Sequence, residues 1–177
     1  MTTANRMLLA ASLAALAACA TDQTALAPEV PESIRVSDKV ALSQQVPASG
    51  VQIYDCQESK ADPKKLEWVF RAPEAQLFDK SGRQIGKHYG GPTWEANDGS
   101  KVVAEVKGRD DGPDSNAIPW LLLVSKSNTG IGAFSKVQSI QRVNTVGGKA
   151  PAGACDQAGR ELRVPYKAVY YLYVPAQ

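Results

Sequence analysis

His88, the one histidine of the chain, stands close to Tyr89, Trp94, Glu95 and Asp98. An imidazole near two carboxylates is the raw material of general acid–base chemistry, and a hydrolase would use His88, Glu95 and Asp98 together. Each also has a plainer role. His88 can be a strand-end residue with its ring satisfied, and Asp98-Gly99 is turn chemistry before it is anything else. A two-residue turn at Asp98-Gly99 would set Asn97 opposite Ser100 and Glu95 opposite Val102, on one side with Thr93, Ala104 and Val106. Trp94 would then share its side with Val103 and Glu105. If Glu95 points inward, its carboxylate needs a partner or a raised pKa; if Trp94 points inward, Glu95 sits in water. The second arrangement is the preferred one, because a large aromatic ring is buried far more often than a carboxylate.

Other chemistries are excluded by counting. No G-x-S-x-G elbow accompanies the histidine, and no P-loop or G-x-G-x-x-G cradle is present. One histidine and two cysteines of a secreted pair cannot complete a structural zinc site, so no metal and no cofactor are expected. Asp110, Asp111 and Asp114 form an acidic loop without the spacing of an EF-hand. For binding, the candidates are Tyr89 and Trp94, whose flat rings can stack on a sugar or lipid, and Arg142, whose planar fork suits a carboxylate or phosphate. Their plain alternatives are a core position for the rings and a solvated strand face for Arg142.

The elements that would carry these residues are short strands. Leu66, Trp68 and Phe70 alternate with Glu67, Val69 and Arg71, the period of a half-buried strand. Turn residues at Asp79 to Gly82 and Asn97 to Ser100 imply hairpins, one of them joining Ala75 to Phe78 with Arg83 to Tyr89. Trp120 to Val124 is apolar without interruption, which predicts a strand covered on both faces. Nothing holds a helical period for long. The expectation is an all-β domain over residues 46–177, a sandwich or open barrel of about ten antiparallel strands with few or no helices.

The leading segment addresses the chain to the cell envelope. Met1 to Arg6 is basic, Met7 to Ala18 is apolar but too short to span a bilayer, and Leu16-Ala17-Ala18-Cys19 has the form of a lipoprotein cleavage site. Residues 1–19 thus read as a signal peptide ending at the acylated Cys19, with a lipid anchor to the membrane, an outer-membrane location facing the periplasm and a Pro/Ala-rich linker over residues 20–45. Ordinary cleavage, leaving a soluble periplasmic or secreted protein, is the alternative. A short element around Ile34 to Leu42 could still dock on the domain. In an oxidising compartment Cys56 and Cys155 are expected to form a disulfide. A net charge of +2, spread along the chain, argues against a nucleic-acid partner.

Five separated blocks carry a resemblance: GVQIYDC (Gly50 to Cys56), HYGGPTWEANDGS (His88 to Ser100), IPWLLL (Ile118 to Leu123), IQRVNTVGGKAP (Ile140 to Pro151) and VPYKAVYYLY (Val164 to Tyr173). Together they resemble DUF3455, a family of exported bacterial and fungal proteins. The resemblance implies export, a single domain and a β fold, and it names no activity, substrate or catalytic residue. The function expected from the residues is a non-catalytic envelope β domain that binds a cell-wall polymer, a small ligand or a protein partner. An envelope hydrolase using His88, Glu95 and Asp98 is the alternative.

Overall fold

The structure is a computed structural model that describes residues 26–176. Eight strands follow one another around a closed antiparallel barrel: β1 (Val40–Glu58), β2 (Leu66–Phe78), β3 (Gln84–Tyr89), β4 (Thr93–Ala96), β5 (Lys101–Asp110), β6 (Trp120–Thr129), β7 (Ser139–Gly147) and β8 (Glu161–Pro175). Closure comes from β1 and β8, which pair from Val40↔Pro175 to Asp55↔Glu161. The all-β expectation therefore holds as a barrel, and among the described residues the one helical element is a 3-10 turn at Glu32–Ile34. The strands are fewer than the turn signals suggested because Leu66 to Arg71 and Ala75 to Phe78 belong to one continuous β2. Pro73 does not break it. There β2 pairs only with β1, since pairing with β3 begins at Glu74, and a strand with one free side tolerates a missing N–H.

Alternation decides which side chains fill the barrel. Val46, Leu77, Trp94, Val102, Leu123, Ile140, Tyr170 and Leu172 point inward and are buried together. The residues between them, among them Glu74, Gln76, Lys87 and Lys167, are exposed. Charges distributed over the outer wall are incompatible with a lipid-facing band, so the strands form a water-facing barrel. Among the described residues no helix is long and apolar enough to cross a membrane.

One part of the outer wall is apolar and covered. Val143, Tyr171 and Tyr173 pack with Trp120, Leu122 and Val169 beneath the segment that precedes β1, which contributes Val30, Ile34 and Val36. Ile34 is fully buried, its carbonyl accepts a 2.7 Å bond from Gln141 Nε2, and Tyr173 donates to Gln141 Oε1 at 2.5 Å. Gly108 is needed beneath this strap, because a Cβ there would stand 2.1 Å from the Ser33 carbonyl oxygen. The stretch expected to be linker up to residue 45 is thus partly built into the domain: burial of Ile34 and pairing of Val40 to Gln45 in β1 order it. The same strap explains the uninterrupted apolar run of β6. Leu121 and Leu123 face the interior, Trp120 and Leu122 face the strap, and both sides are covered.

The connections divide between two ends. Residues 79–83, 97–100 and 130–138 lie at one, and Phe134 and Val137 from the last of them plug the interior. Here the expected two-residue turn is corrected to a three-residue loop. Ala96 N–H donates to the Ser100 carbonyl, Gly99 takes φ +84°, and the pairs are Trp94↔Val102 and Glu95↔Lys101. Asp98 imposes this shape: its Oδ1 accepts from Ser100 N and Oγ at 2.9 and 2.6 Å, and its Oδ2 accepts from Ala133 N at 2.8 Å. At the opposite end lie residues 59–65, 90–92, 111–119 and 148–160. There the Cys56–Cys155 disulfide, Cα–Cα 5.8 Å, ties β1 to the β7–β8 connection across 99 residues. In the chain-entropy picture a loop of that length is worth about 4 to 5 kcal/mol.

Candidate ligand cavity at the open end

The β3–β4 hairpin is the shortest in the barrel, and its Gly90-Gly91-Pro92 turn stops below the level its neighbours reach. Beyond it, Leu66 to Pro73 of β2 have no partner on that side, and β5 loses its β4 partner after Val103. The wall is therefore notched between β2 and β5. Phe70 and Val106 flank the notch, each 51% exposed. Behind it is a cavity of about 190 Å³, walled by His88, Trp94, Leu121, Leu123, Arg142 and Tyr170. An engineered apolar cavity of about 150 Å³ holds benzene, so this one has room for a single ring with a small substituent.

His88 and Trp94 reach the cavity because they are directly paired across the hairpin and share its inward side. Their rings stack at 4.1 Å with an interplanar angle of 18°, and Tyr170 meets both edge-on at 5.2 and 5.3 Å. His88 Nδ1 lies 2.8 Å from the Thr93 carbonyl oxygen. A carbonyl only accepts, so Nδ1 carries the hydrogen and Nε2 keeps its lone pair. Burial pushes the His88 pKa down to about 3, and the nearby Arg142 charge adds to the effect. The imidazole is neutral at ordinary pH. The Trp94 indole N–H is buried without a partner.

Arg142 enters from β7, opposite Leu121 on one side and Tyr170 on the other. Its Nε and Nη2 donate to the Pro119 carbonyl at 3.1 and 2.8 Å, which fixes the guanidinium plane. It also stands beside the Tyr170 hydroxyl, whose pKa burial raises. No carboxylate among the described residues pairs with it. Arg71, the other cation at the cavity, differs: it is held by Asp55 at 3.0 Å and by Glu161. Farther in, the hydroxyls of Tyr166 and Tyr170 lie 3.3 Å apart, and Gln52 Nε2 is buried without a partner.

The remaining candidates from the sequence lie elsewhere. Glu95 is on the outer wall, as expected once Trp94 is inward. It accepts from Tyr89 at 2.7 Å and pairs with Lys101 at 3.2 Å and Lys87 at 3.6 Å. The Tyr89 bond, followed by the lysines, holds its carboxyl below the usual range. Tyr89 thus serves this outer cluster and not the cavity. Asp98 is at the plugged end, so His88, Glu95 and Asp98 face three different places and share no site. Asp110, Asp111 and Asp114 each have separate partners, and no group of three metal-type ligands occurs among the described residues. Cys19 lies outside the described residues. Leu121 was not singled out by sequence; its signal was parity with Leu123 on its strand.

These features define a class: a small closed barrel of eight up-and-down strands with a cavity at its open end, an architecture that can enclose a single small ligand. The chain belongs to the DUF3455 family, whose model, described as a protein of unknown function, matches residues 36–174. No curated protein and no solved structure matches it.

Proposed function

We propose that this protein is an exported lipoprotein, tethered at Cys19, whose barrel binds a small, largely apolar molecule without transforming it. The observation that carries the reading is the cavity of about 190 Å³ between Phe70 and Val106, left open in a barrel whose other end is filled. Its wall has the make-up of a binding site, apolar and aromatic with a few fixed polar groups. A hydrolytic role finds no support in the geometry, because among the described residues no carboxylate pairs with the His88 ring, and Glu95 and Asp98 are engaged elsewhere. The preceding strap docks on the outer wall, and the tether is the stretch before it, facing the periplasm from the outer membrane.

Thermal unfolding of the full chain in the presence of benzyl alcohol, toluene or benzoate tests the binding reading. At least one probe is expected to raise Tm for the unchanged protein and none for Leu121→Trp, whose larger ring occupies the cavity. No shift with any probe, or equal shifts for the filled variant, would contradict it. Mass spectrometry of the mature chain from envelope fractions tests the anchor: acylation is expected on Cys19, and a mature chain lacking Cys19 would overturn it.

A further inference from the structure

Resting on that reading, we infer that the cavity selects a small organic anion, a monocyclic or short branched carboxylate, with the Arg142 guanidinium holding the carboxylate and the stacked His88–Trp94 pair lying against the apolar body. Every other charge-bearing group at the site is already accounted for. Arg71 is neutralised by Asp55 and Glu161, the His88 imidazole is neutral with its Nδ1 hydrogen committed to Thr93, and Tyr170 keeps its proton. Among the described residues at the site, Arg142 is the one that brings a full charge with no counter-ion. A half-buried guanidinium is costly without an anion, and a carboxylate in a water-poor site answers it with a short, charge-assisted, two-pronged contact. Two of its five N–H groups are used on the Pro119 carbonyl and one side of the guanidinium meets the Tyr170 hydroxyl, so the N–H groups left for a ligand are shared between Nη1 and Nη2.

A phosphate monoester fits less well, since it carries close to two charges at neutral pH and the site offers one. The volume limits the apolar body to about one ring. A cell-wall polymer would have to present a single side group of this kind through the notch.

The test uses titration calorimetry of the full chain at pH 7 with benzoate, benzamide and benzyl alcohol, three probes of nearly one size and different charge. Benzoate is expected to bind at least about tenfold more tightly than either neutral probe, the factor a charge-assisted hydrogen bond supplies. Arg142→Gln should abolish that preference, bringing benzoate to within about twofold of the neutral probes, and Arg142→Lys should restore part of it. Equal affinity for the three probes would overturn the anion inference and leave the binding reading standing. Binding of none would overturn both. If Arg142→Gln fails to fold, as judged by circular dichroism, the comparison of probes on the unchanged protein still decides.

Discussion

The two ends of the barrel are closed by different means, and the difference isolates the site. At the plugged end a long β6–β7 connection turns Phe134 and Val137 into the interior. Asp98 and Ser100 then latch that connection, Ser100 Oγ accepting from Phe134 N at 3.0 Å. At the open end the short β3–β4 hairpin brings no such side chain, and the disulfide restrains the β7–β8 connection without filling the space below the hairpin. Filling thus follows what the connections carry, and the strands at the open end add polar side chains inside, with His88, Arg142, Gln52 and Thr145 there against Val46, Leu77, Val102 and Ile140 toward the plug. Where a connection supplies a ring, the barrel is a core; where it does not, the barrel is a receptacle.

Substitutions should separate the two ends, and the largest effect belongs to the plugged one. Phe134→Ala is expected to lower stability by about 3 to 5 kcal/mol, the usual loss for a fully buried ring, measured by urea unfolding. A loss below about 1 kcal/mol would mean that end is not a packed core. Removing the disulfide by Cys56→Ala with Cys155→Ala should cost about 2 to 5 kcal/mol. Because this bond restrains the open end, the same variant should also raise amide exchange in residues 148–160 before it does so in residues 130–138.

His88 adds a pH dependence that belongs to the open end alone. Its pKa falls from 6.5 in the unfolded chain to about 3 in the folded one. Between those values the unfolded state holds a proton that the folded state does not, so this contribution is complete above about pH 6.5 and is lost as pH falls toward 3. The slope for one proton is about 1.4 kcal/mol per pH unit. His88→Phe, which keeps a ring beside Trp94, should flatten the stability profile between pH 6 and pH 4 by a part of about that size, whereas equal slopes in both proteins would place the imidazole in water. The smallest effect is expected from Leu121→Trp. Overpacking a filled core costs about 1 to 3 kcal/mol, but here the added atoms enter empty space and the cost should stay below about 1 kcal/mol.

Much of this architecture was legible in the sequence. Period-two alternation in Leu66 to Arg71, the turn residues and the pair Cys56 and Cys155 pointed to a disulfide-bridged all-β domain. Trp94 inward with Glu95 outward followed from the preference of aromatic rings for burial. The rest depended on interactions that alternation does not encode. The three-residue loop at residues 97–99 is set by Asp98 bonding to Ser100 and Ala133, and Ala133 is too distant in sequence to be anticipated. Closure between β1 and β8 joins the two ends of the domain. The strap is held by Ile34 and a few other apolar residues too sparse to show a period. His88 looked like a strand-end residue because nothing local told that its hairpin would be the shortest in the wall. Arg142 was read as a fork for an anion or as a solvated strand face, and only the bend of residues 111–119, which brings the Pro119 carbonyl to it, turns it toward the cavity.

The central claim is that a ligand enters the open end and meets the wall formed by His88, Trp94 and Arg142. Proton–nitrogen correlation spectra of the three tryptophan indole groups during a benzoate titration test it most directly. Trp94 lines the cavity, Trp120 lies under the strap and Trp68 sits beside Cys56 on β2. A saturable shift of the Trp94 indole resonance, with Trp68 and Trp120 unmoved, is the predicted result. A Trp94 resonance that stays fixed at saturating benzoate, or equal movement of all three, would contradict the account.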